Sequence, residues 1–323
     1  MDSRRSITAI KKGFKLKKIY LTIGYGTLLF LLLTAALTGC SRDLPDIGIE
    51  VNGRAALIAD AGSGKVLFAK NPEARFPPAS TTKVMTAIVA LENLSPDAEI
   101  VPRPSVVQVE PTIAGLKAGV SYELKDLLSA ILIKSANDAA VVIAQAVAGS
   151  EKDFAAMMNE KAERIGMENT YFATASGLPT GRKDSQYTTV SDLARMMRYA
   201  LRYDIILREM SKKSENIYGS DERRIYLKTH NKTLIRDGDE APWGKTGYTR
   251  EARRTFVGVD PSERPRIVFS LLRSNDLWED IRVLKNKGLQ LHELSRENIF
   301  SDILNWVSRQ RKRGRRHADI LSG

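Results

Sequence analysis

Apolar and polar positions along residues 45–292 predict strands at both ends of this region and a block of helices between them. The first strands form a hairpin, because two short apolar runs flank the Gly-rich turn at 60–64. Residues 96–122 are rich in Pro, Val and Gly and predict irregular strands and loops. The other segments are predicted as helices at 84–91, 123–133, 138–148, 151–165 and 190–201, as strand and loop at 213–242, as strands at 255–259 and 266–272, and as a closing helix at 276–291.

The order of these segments favours an α+β fold. Strands from both ends of the region must bury their apolar faces, so we expect the first and the last strands to share one sheet. The helical block is then a subdomain inserted between them. No internal repeat interrupts this order, and the only low-complexity tract is the basic tail at 309–316.

The first forty residues form a separate segment with the features of an export signal. A basic stretch ends at Lys18, an apolar run follows at 19–37, and small residues precede Cys40. Positive charge stays on the cytoplasmic side of a membrane, so the rest of the chain is expected outside it. The segment resembles a bacterial lipoprotein signal peptide, which would leave a lipidated Cys40 as the mature N-terminus. The alternative is an uncleaved membrane anchor, since the run approaches the roughly 20 residues that span a bilayer; both attach the protein to the outer face of the cytoplasmic membrane.

Charge is concentrated at the two ends of the chain. The formal net charge is +12, and residues 1–39 and 309–316 each contribute an excess of six positive charges. The remaining sequence is balanced, which argues against nucleic-acid binding as the main function. Cys40 is the only cysteine, so no intrachain disulfide can form, and the three histidines show no metal-ligand spacing. We therefore expect no metal and no cofactor.

The helix predicted at 84–91 begins beside a hydroxyl and an amine. Pro77 and Pro78 keep the approach to Ser80 extended and outside the helix interior. Lys83 follows Ser80 at i+3, on the same helical face. At the positive end of a helix dipole, such a pair can serve as a nucleophile and a base. Taken alone, the pattern equally fits a serine that caps the helix beside a solvated lysine.

Two further short motifs carry polar groups suited to the same cleft. Ser135 and Asn137 lie at the break between two predicted helices, where the hydroxyl could relay a proton and the amide could hold a peptide group. Lys245 and Thr246 open a strand and offer a charge and a hydroxyl for a carboxylate, while Gly247 leaves space for another backbone. In a pleated strand, Lys245 and Thr246 point to opposite faces, so both can reach one ligand only if the strand borders the cleft. Each motif alone is also typical of a helix cap or of a turn before a strand.

Together, Ser-x-x-Lys at 80–83, Ser-x-Asn at 135–137 and Lys-Thr-Gly at 245–247 follow the order found in β-lactamases and penicillin-binding proteins. The chain resembles the low-molecular-mass penicillin-binding proteins, specifically the D-alanyl-D-alanine carboxypeptidases of the serine peptidase family that also contains related endopeptidases. The resemblance implies a β-lactamase/transpeptidase-like fold, in which helices flank an antiparallel sheet. It covers residues 45–292 and includes the segments PASTTKVMTA at 78–87, SANDAA at 135–140, HNKTL at 230–234 and KTGYT at 245–249.

The resemblance implies hydrolysis of the bond between two D-alanines of a peptidoglycan stem pentapeptide through an acyl-enzyme, and acylation of the same site by β-lactams. Ser80 is implied as the nucleophile. Lys83 is implied as its base, which must be neutral and so needs a pKa depressed by burial and by a nearby lysine. Ser135 would pass the proton to the leaving amine. The implied substrate-binding groups are Asn137, Lys245, Thr246, Gly247 and Tyr248, with the backbone N–H groups of Ser80 and Tyr248 as an oxyanion hole.

The expected organisation has three parts. Residues 1–40 are the signal or anchor, residues 41–294 the serine DD-peptidase domain, and residues 295–323 an amphipathic helix with a basic tail. Many relatives carry a second, all-β domain, for which the residues after 291 are too few. The apolar face at 299–307 and the tail predict either contact with an anionic membrane surface or a helix packed on the domain with a solvated tail.

One departure from the family pattern and several alternatives bear on the function. Residues 251–254, Glu-Ala-Arg-Arg, stand where the family usually has small residues, which affects the rim of the cleft. A class A β-lactamase would need a Glu-x-x-Leu-Asn pattern, and none occurs between 138 and 244. A DD-endopeptidase that cuts cross-links would use the same residues as a carboxypeptidase. The non-enzymatic alternative, an inactive wall-binding or β-lactam-sensing module, is disfavoured by the three intact motifs.

Overall fold

The computed structural model describes residues 47–104, 112–180, 186–297 and 304, all of which belong to the unit formed by Asp46–Gly323. The predicted signal or anchor at 1–40 and the basic tail at 309–316 fall outside the described residues. Within these ranges, no helix has both the length and the apolar character that crossing a bilayer requires.

A five-stranded antiparallel sheet takes its strands from both ends of the described chain, as predicted. The strands of the fold are β1 (Ala55–Asp60), β2 (Val66–Lys70), β3 (Glu99–Ile100), β4 (Tyr122–Glu123), β5 (Ser214–Tyr218), β6 (Arg224–Lys228), β7 (Trp243–Thr249), β8 (Arg253–Val259) and β9 (Ile267–Ser274). The order in the large sheet is β2-β1-β9-β8-β7, while β3 pairs with β4 and β5 with β6. The central strands β1 and β9 are buried along almost their whole length, which their unbroken apolar runs predict.

Most of the helices lie between β2 and β7, in the part of the chain that also contains the short strands β3 to β6, and one more helix follows β9. They are α1 (Lys83–Asn93), α2 (Leu124–Leu132), α3 (Asn137–Ala148), α4 (Glu151–Arg164), α5 (Val190–Ala200), α6 (Asp204–Ser211), α7 (Lys232–Arg236) and α8 (277–297). Thr189 caps α5 as its position predicts, because its hydroxyl accepts a hydrogen bond from the backbone of Asp192. The inserted helical block is therefore confirmed.

The structure differs from the predicted helices in three places. Helices α6 and α7 were not predicted, and α7 lies inside the segment interpreted as strand and loop, where Asn231 caps it. The closing helix continues to 297 instead of ending at 291. Its last turns carry polar residues that face protein rather than water, since His292 Nε2 lies 3.2 Å from Asp60 Oδ2 at the end of β1.

Helix α1 lies at the centre of the helical block. All residues from Lys83 to Ala90 are buried, as the nearly continuous apolar sequence predicts for a helix covered on most sides. The helix packs against α2, α3, α4 and α5. Contacts on so many sides fix the position of its first turn, and the short 3-10 turn Ala79–Thr82 leads directly into it.

Two other parts of the fold meet this first turn. Strand β7 lies at the edge of the large sheet and packs against the 3-10 turn. The break between α2 and α3, in the helical block, also lies beside β7. Lys245 of β7 donates a hydrogen bond to Ser135 in that break. The three motifs recognised in the sequence therefore come together at one place.

Candidate active site

Ser80 lies in the 3-10 turn and caps neither this turn nor α1. Its hydroxyl oxygen lies 3.1 Å from Nζ of Lys83. The i+3 spacing brings the two groups to one face, as the sequence predicts. The interpretation of this pair as a capping serine beside a solvated lysine is wrong, because the lysine is fully buried.

The contacts of Lys83 orient its amine toward Ser80. Nζ lies 2.8 Å from Oδ1 of Asn137 and 2.6 Å from the carbonyl oxygen of Ser176. Both oxygens can only accept hydrogen bonds. A neutral amine has two N–H donors and one lone pair, so these two acceptors take the donors and leave the lone pair for the hydroxyl of Ser80. The amine is thus placed as a base toward this serine.

The two buried lysines of the site have depressed pKa values. Burial lowers the pKa of Lys83 well below its ordinary value, and the charge of Lys245 lowers it further, while Glu151 and Asp138 act in the opposite direction. Burial also lowers the pKa of Lys245 to about 7. Both causes were expected for Lys83, and burial is the larger of the two.

Ser135 occupies a strained position at the break between α2 and α3. Its backbone is left-handed, with φ of 62°, which costs a non-glycine residue roughly 1–2 kcal/mol. The break is held in place by a hydrogen bond from the backbone N–H of Asn137 to the carbonyl of Thr112. Lys245 Nζ donates to the buried Ser135 hydroxyl at 2.9 Å. The strained turn thereby holds the hydroxyl against an amine that comes from β7.

The backbone of β7 passes directly beside Ser80. A Cβ atom at Gly247 would lie 2.8 Å from the backbone nitrogen of Ser80, so a side chain here would push the strand away from the serine. Lys245 is buried, Thr246 is partly buried, and Tyr248 is 61% exposed. Because β7 is the edge strand, it meets the condition under which Lys245 and Thr246 can serve one ligand.

Most of the predicted site residues are thus connected by direct contacts. Thr246 takes part through its carbonyl oxygen, which accepts a hydrogen bond from Lys245 Nζ at 2.8 Å. Tyr248 lies two residues after Thr246 on β7. Cys40 lies outside the described residues. The connected side chains and backbone groups belong to Ser80, Lys83, Ser135, Asn137, Lys245 and Gly247.

A family model described as D-alanyl-D-alanine carboxypeptidase, peptidase family S11, matches residues 41–274 and so includes all three motifs. The chain belongs to this family. It is accordingly a serine hydrolase, and the α+β fold with an antiparallel sheet and an inserted helical block is the fold of this S11 peptidase.

Curated relatives of this S11 chain carry two kinds of name. D-alanyl-D-alanine carboxypeptidase DacB2 of Mycobacterium tuberculosis is 34% identical over 216 residues, which cover 67% of this chain and 73% of the relative. D-alanyl-D-alanine carboxypeptidase DacF of Bacillus subtilis is 31% identical, over 62% of this chain and only 52% of the relative. A D-alanyl-D-alanine endopeptidase of Pseudomonas aeruginosa is 28% identical, over 71% of this chain and 75% of the relative.

Solved structures support the same fold. A penicillin-binding protein homolog of Mycobacterium tuberculosis superposes with a TM-score of 0.70 at 30% identity, covering 78% of this chain and 95% of that chain. The Streptomyces K15 DD-transpeptidase superposes with a TM-score of 0.67 at 22% identity, covering 76% and 98% of the two chains. At that identity, the second likeness bears on the fold alone.

The loop 174–178 is a part of the S11 site that the sequence analysis missed. Its carbonyl groups hold α1, since Ser176 O accepts from Lys83 Nζ and Ala175 O accepts from the Thr86 hydroxyl at 2.6 Å. Gly177 has φ of +82°, and a Cβ atom there would clash with the carbonyl of Ala79. The glycine in a short polar stretch was the available signal for a tight turn, but the sequence does not show what that turn contacts.

Glu151 is a second group that the sequence analysis missed. It is the first residue of α4, and its Oε1 accepts a hydrogen bond at 3.0 Å from the backbone N–H of Ala175. Burial raises the pKa of this carboxyl, while the same hydrogen bond and Lys83 lower it. Glu151 therefore fixes the loop that holds Lys83, and its charge opposes part of the fall in the pKa of that lysine. No local pattern in the sequence distinguishes it from an ordinary acidic residue in a first helical turn.

The turn after Lys-Thr-Gly shows how the atypical residues of this family member are accommodated. Ala252 is fully buried, and its N–H donates to the Thr249 hydroxyl at 3.0 Å. The neighbouring charged residues are exposed, among them Glu251 and Arg253, and Arg253 has a positive φ of 57°. The departure from the family pattern thus places charge on the surface of the turn between β7 and β8.

Proposed function

We propose that this protein is a penicillin-sensitive serine carboxypeptidase that removes the terminal D-alanine from peptidoglycan stem pentapeptides through an acyl-enzyme. The observation that carries the proposal is the buried amine of Lys83, which lies 3.1 Å from Ser80 Oγ with two acceptors taking its N–H groups. Lysine is a useful base only when neutral, and the depressed pKa of Lys83 supplies that form.

In the acylation step, Ser80 Oγ attacks the carbonyl carbon between the two D-alanines while its proton passes to Lys83 Nζ. The negative charge that develops on the carbonyl oxygen is assigned to the backbone N–H groups of Ser80 and Tyr248. The close approach of β7 at Gly247, with 2.8 Å between a Cβ placed there and Ser80 N, supports this pairing of the two backbones.

Collapse of the tetrahedral intermediate breaks the C–N bond and releases D-alanine, whose nitrogen must gain a proton. Ser135 is assigned to pass on the proton that Lys83 took from Ser80, because its hydroxyl is buried and bonded to Lys245. Lys245 and Thr246 are assigned to the terminal carboxylate of the substrate, and Asn137 to the peptide group before the scissile bond. Water then hydrolyses the ester on Ser80. A β-lactam would acylate the same hydroxyl by opening its ring.

Release of D-alanine from a soluble stem pentapeptide tests this proposal. Wild-type protein should release one D-alanine per peptide, and Ser80→Ala should release none. Ser135→Ala should fold and slow the reaction, because the leaving nitrogen loses its proton donor, by about 10²–10⁴-fold. Release by the Ser80→Ala variant at the wild-type rate would overturn the assignment of the nucleophile.

Endopeptidase activity on cross-links is the second candidate. It is favoured by the similarity to D-alanyl-D-alanine endopeptidases of Pseudomonas aeruginosa and of Haemophilus influenzae, the latter 31% identical over 69% of its length. Both reactions cleave a bond after a D-alanine with the same residues. Incubation with a cross-linked peptide dimer beside the pentapeptide would separate them by product: free D-alanine marks the carboxypeptidase, and two monomeric peptides mark the endopeptidase.

We further propose export and attachment to the outer face of the cytoplasmic membrane through residues 1–40, with the peptidase body at 41–294 and an amphipathic segment with a basic tail at 295–323. The support is the basic and then apolar sequence that ends at Cys40. Action on peptidoglycan requires this location, because the polymer lies outside the cytoplasm.

A further inference from the structure

The small sheet of β5 and β6 exposes tyrosines and basic residues on one face. Alternate residues of these strands point inward, where Ile217, Ile225 and Leu227 are buried. On the outer side, Tyr218 and Tyr226 are each 53% exposed. The residue pairs across this side are Tyr218 with Arg224, Asn216 with Tyr226, and Ser214 with Lys228. We call the surface formed by Tyr218, Arg224, Tyr226 and Lys228 the outer hairpin face.

The two basic residues of the outer hairpin face form no ion pair with a described carboxylate. Within the described part of the chain, no carboxylate lies within ion-pair distance of Arg224 or Lys228. The nearby carboxylates of Asp221 and Glu215 are paired with lysines elsewhere, at 3.0 Å and 2.6 Å, while Glu222 lies exposed in the turn between the two strands. The face therefore offers two cations along about 14 Å of β6, with the exposed ring of Tyr226 between them and that of Tyr218 across from Arg224.

A groove of about 420 Å³ continues from the end of β6 into the first turn of α7. Its lining residues are Lys228, Thr229, His230, Lys232, Ile235 and Arg236. Lys228 belongs both to this groove and to the outer hairpin face, so the two surfaces are continuous. Partial burial lowers the pKa of His230, and the charges of Lys245, Lys134 and Lys83 lower it further. The neighbouring Asn231 donates from Nδ2 to the carbonyl of Pro242 at 2.9 Å, so this part of the chain contacts the start of the strand that carries Lys245.

We propose that the outer hairpin face and this groove together bind the glycan strands of polymeric peptidoglycan and their acidic stem peptides. The inference rests on the proposed function and narrows its substrate from free stem peptides to stem peptides that remain attached to the polymer. Tyrosine presents a flat apolar ring and a hydroxyl, which suit the faces and hydroxyls of sugar rings. Arg224, Lys228 and Lys232 suit the free carboxylates of the stem peptides.

An anionic membrane is the other kind of surface that basic and aromatic residues could bind. A membrane-binding surface inserts a broad apolar face between lipid headgroups. The apolar part of the surface described above consists of only two tyrosine rings and Ile235. These observations favour the substrate as its partner.

Binding to purified sacculi tests the proposal without turnover when every protein carries Ser80→Ala. The test variant is Arg224→Glu with Lys228→Glu. The matched control is Arg54→Glu with Arg264→Glu, which makes the same change in net charge at exposed sites away from the hairpin. We expect the test variant to bind sacculi about tenfold more weakly and the control to bind as before. Equal binding by the two variants would overturn the proposal.

Alanine and phenylalanine substitutions test whether the tyrosine rings contribute to binding. Tyr218→Ala with Tyr226→Ala should weaken binding to sacculi, whereas Phe at both positions should retain most of it, because the ring faces remain. Phenylalanine and alanine variants that bind alike would exclude ring stacking as the basis of the interaction. The buried residues of the hairpin are unchanged in all of these variants, and thermal unfolding reports whether each Ser80→Ala protein is folded.

Kinetics on two substrates then separate this surface from the catalytic groups. With Ser80 intact, Arg224→Glu with Lys228→Glu should lower D-alanine release from pentapeptide-rich sacculi by a larger factor than release from a soluble pentapeptide, which lacks the glycan strand. Equal losses on both substrates would contradict the proposal, as would loss of binding to phosphatidylglycerol vesicles with sacculus binding retained. Failure of wild-type protein to react with penicillin would count against the proposed function alone, since sacculus binding by the Ser80→Ala proteins does not depend on it.

Discussion

At the scale of single residues, the chemistry depends on how Lys83 is buried. A solvated lysine has a pKa near 10.4 and is charged at neutral pH. Lys83 is fully buried, faces a second buried lysine, and has two acceptor oxygens in hydrogen-bond contact. These contacts favour the neutral amine and direct its lone pair to Ser80.

Substitution of Lys83 by arginine tests whether Lys83 accepts the serine proton or serves only as a buried positive charge. Lys83→Arg keeps a long cationic side chain, but a guanidinium stays protonated at any usable pH and cannot accept the serine proton. We expect D-alanine release and penicillin acylation to fall by about 10²–10⁴-fold. Thermal unfolding of the variant serves as the folding control. A folded variant with acylation close to wild type would show that Lys83 is not the base.

The pH dependence of kcat/KM should report Lys245. Its pKa in the free protein is lowered to about 7, so this lysine is charged below that pH and becomes neutral above it. Because the charged form is assigned to the substrate carboxylate, kcat/KM for the pentapeptide should fall as the pH rises through about 7. In Lys245→Arg, which stays charged, that fall should disappear even if the overall rate is lower. An unchanged falling limb in this variant would assign the titration to another group.

At the scale of elements, the site is assembled by segments that carry no recognisable motif. The loop 174–178 holds the first turn of α1, and Glu151 holds the loop. The buried carboxylate of Asp138 accepts hydrogen bonds from the backbone of residues 114–116 and so fixes the chain in front of Asn137. These contacts position the nucleophile and its base from three sides.

Gly177 gives a matched test of this packing. Gly177→Ala combines a positive φ with a clash against Ala79, whereas Gly149→Ala has a similar φ of +76° and no atom within 4 Å of the added Cβ. The backbone term costs roughly 1–2 kcal/mol in both, and overpacking adds about 1–3 kcal/mol only at Gly177. Urea unfolding should therefore show the larger loss for Gly177→Ala, which should also slow penicillin acylation. Equal losses in stability would mean that the loop shifts freely from the 3-10 turn.

The sequence predicted most elements and the three motifs, because both depend on local patterns. The buried face of α1 follows from its apolar run, and the hairpin follows from its Gly-rich turn. The contacts of Ser176 and Glu151 with the site were not predictable, since they join residues far apart in sequence through irregular loops. The left-handed backbone of Ser135 was equally hidden, because serine has no preference for that conformation. The continuation of α8 past 291 depended on a partner for His292 in β1.

At the scale of the whole molecule, we propose separate tasks for the peptidase body and the first forty residues. The described body contains the complete set of catalytic groups proposed above. The sequence at 1–40 predicts export and attachment to the membrane. A peptidase tethered at one end would meet the wall polymer from the membrane side.

Lipidation of Cys40 is testable in the producing bacterium. Wild-type protein should incorporate labelled palmitate, and Cys40→Ser should not, because Cys40 is the only thiol in the chain. Mass spectrometry of the mature N-terminus should show modified Cys40 as the first residue. An intact N-terminus at Met1 in the membrane fraction would instead establish the uncleaved anchor.

Acylation of Ser80 by penicillin is the most direct test of the central claim, which is that Ser80 is the nucleophile of a penicillin-sensitive DD-peptidase. Full-length wild type and Ser80→Ala are incubated with a fluorescent penicillin, and the labelled peptide is identified by mass spectrometry. We predict stoichiometric label on the peptide that contains Ser80 and none on the variant, whose fold is checked by thermal unfolding. Absence of label on folded wild type, or equal label on both proteins, would contradict the account.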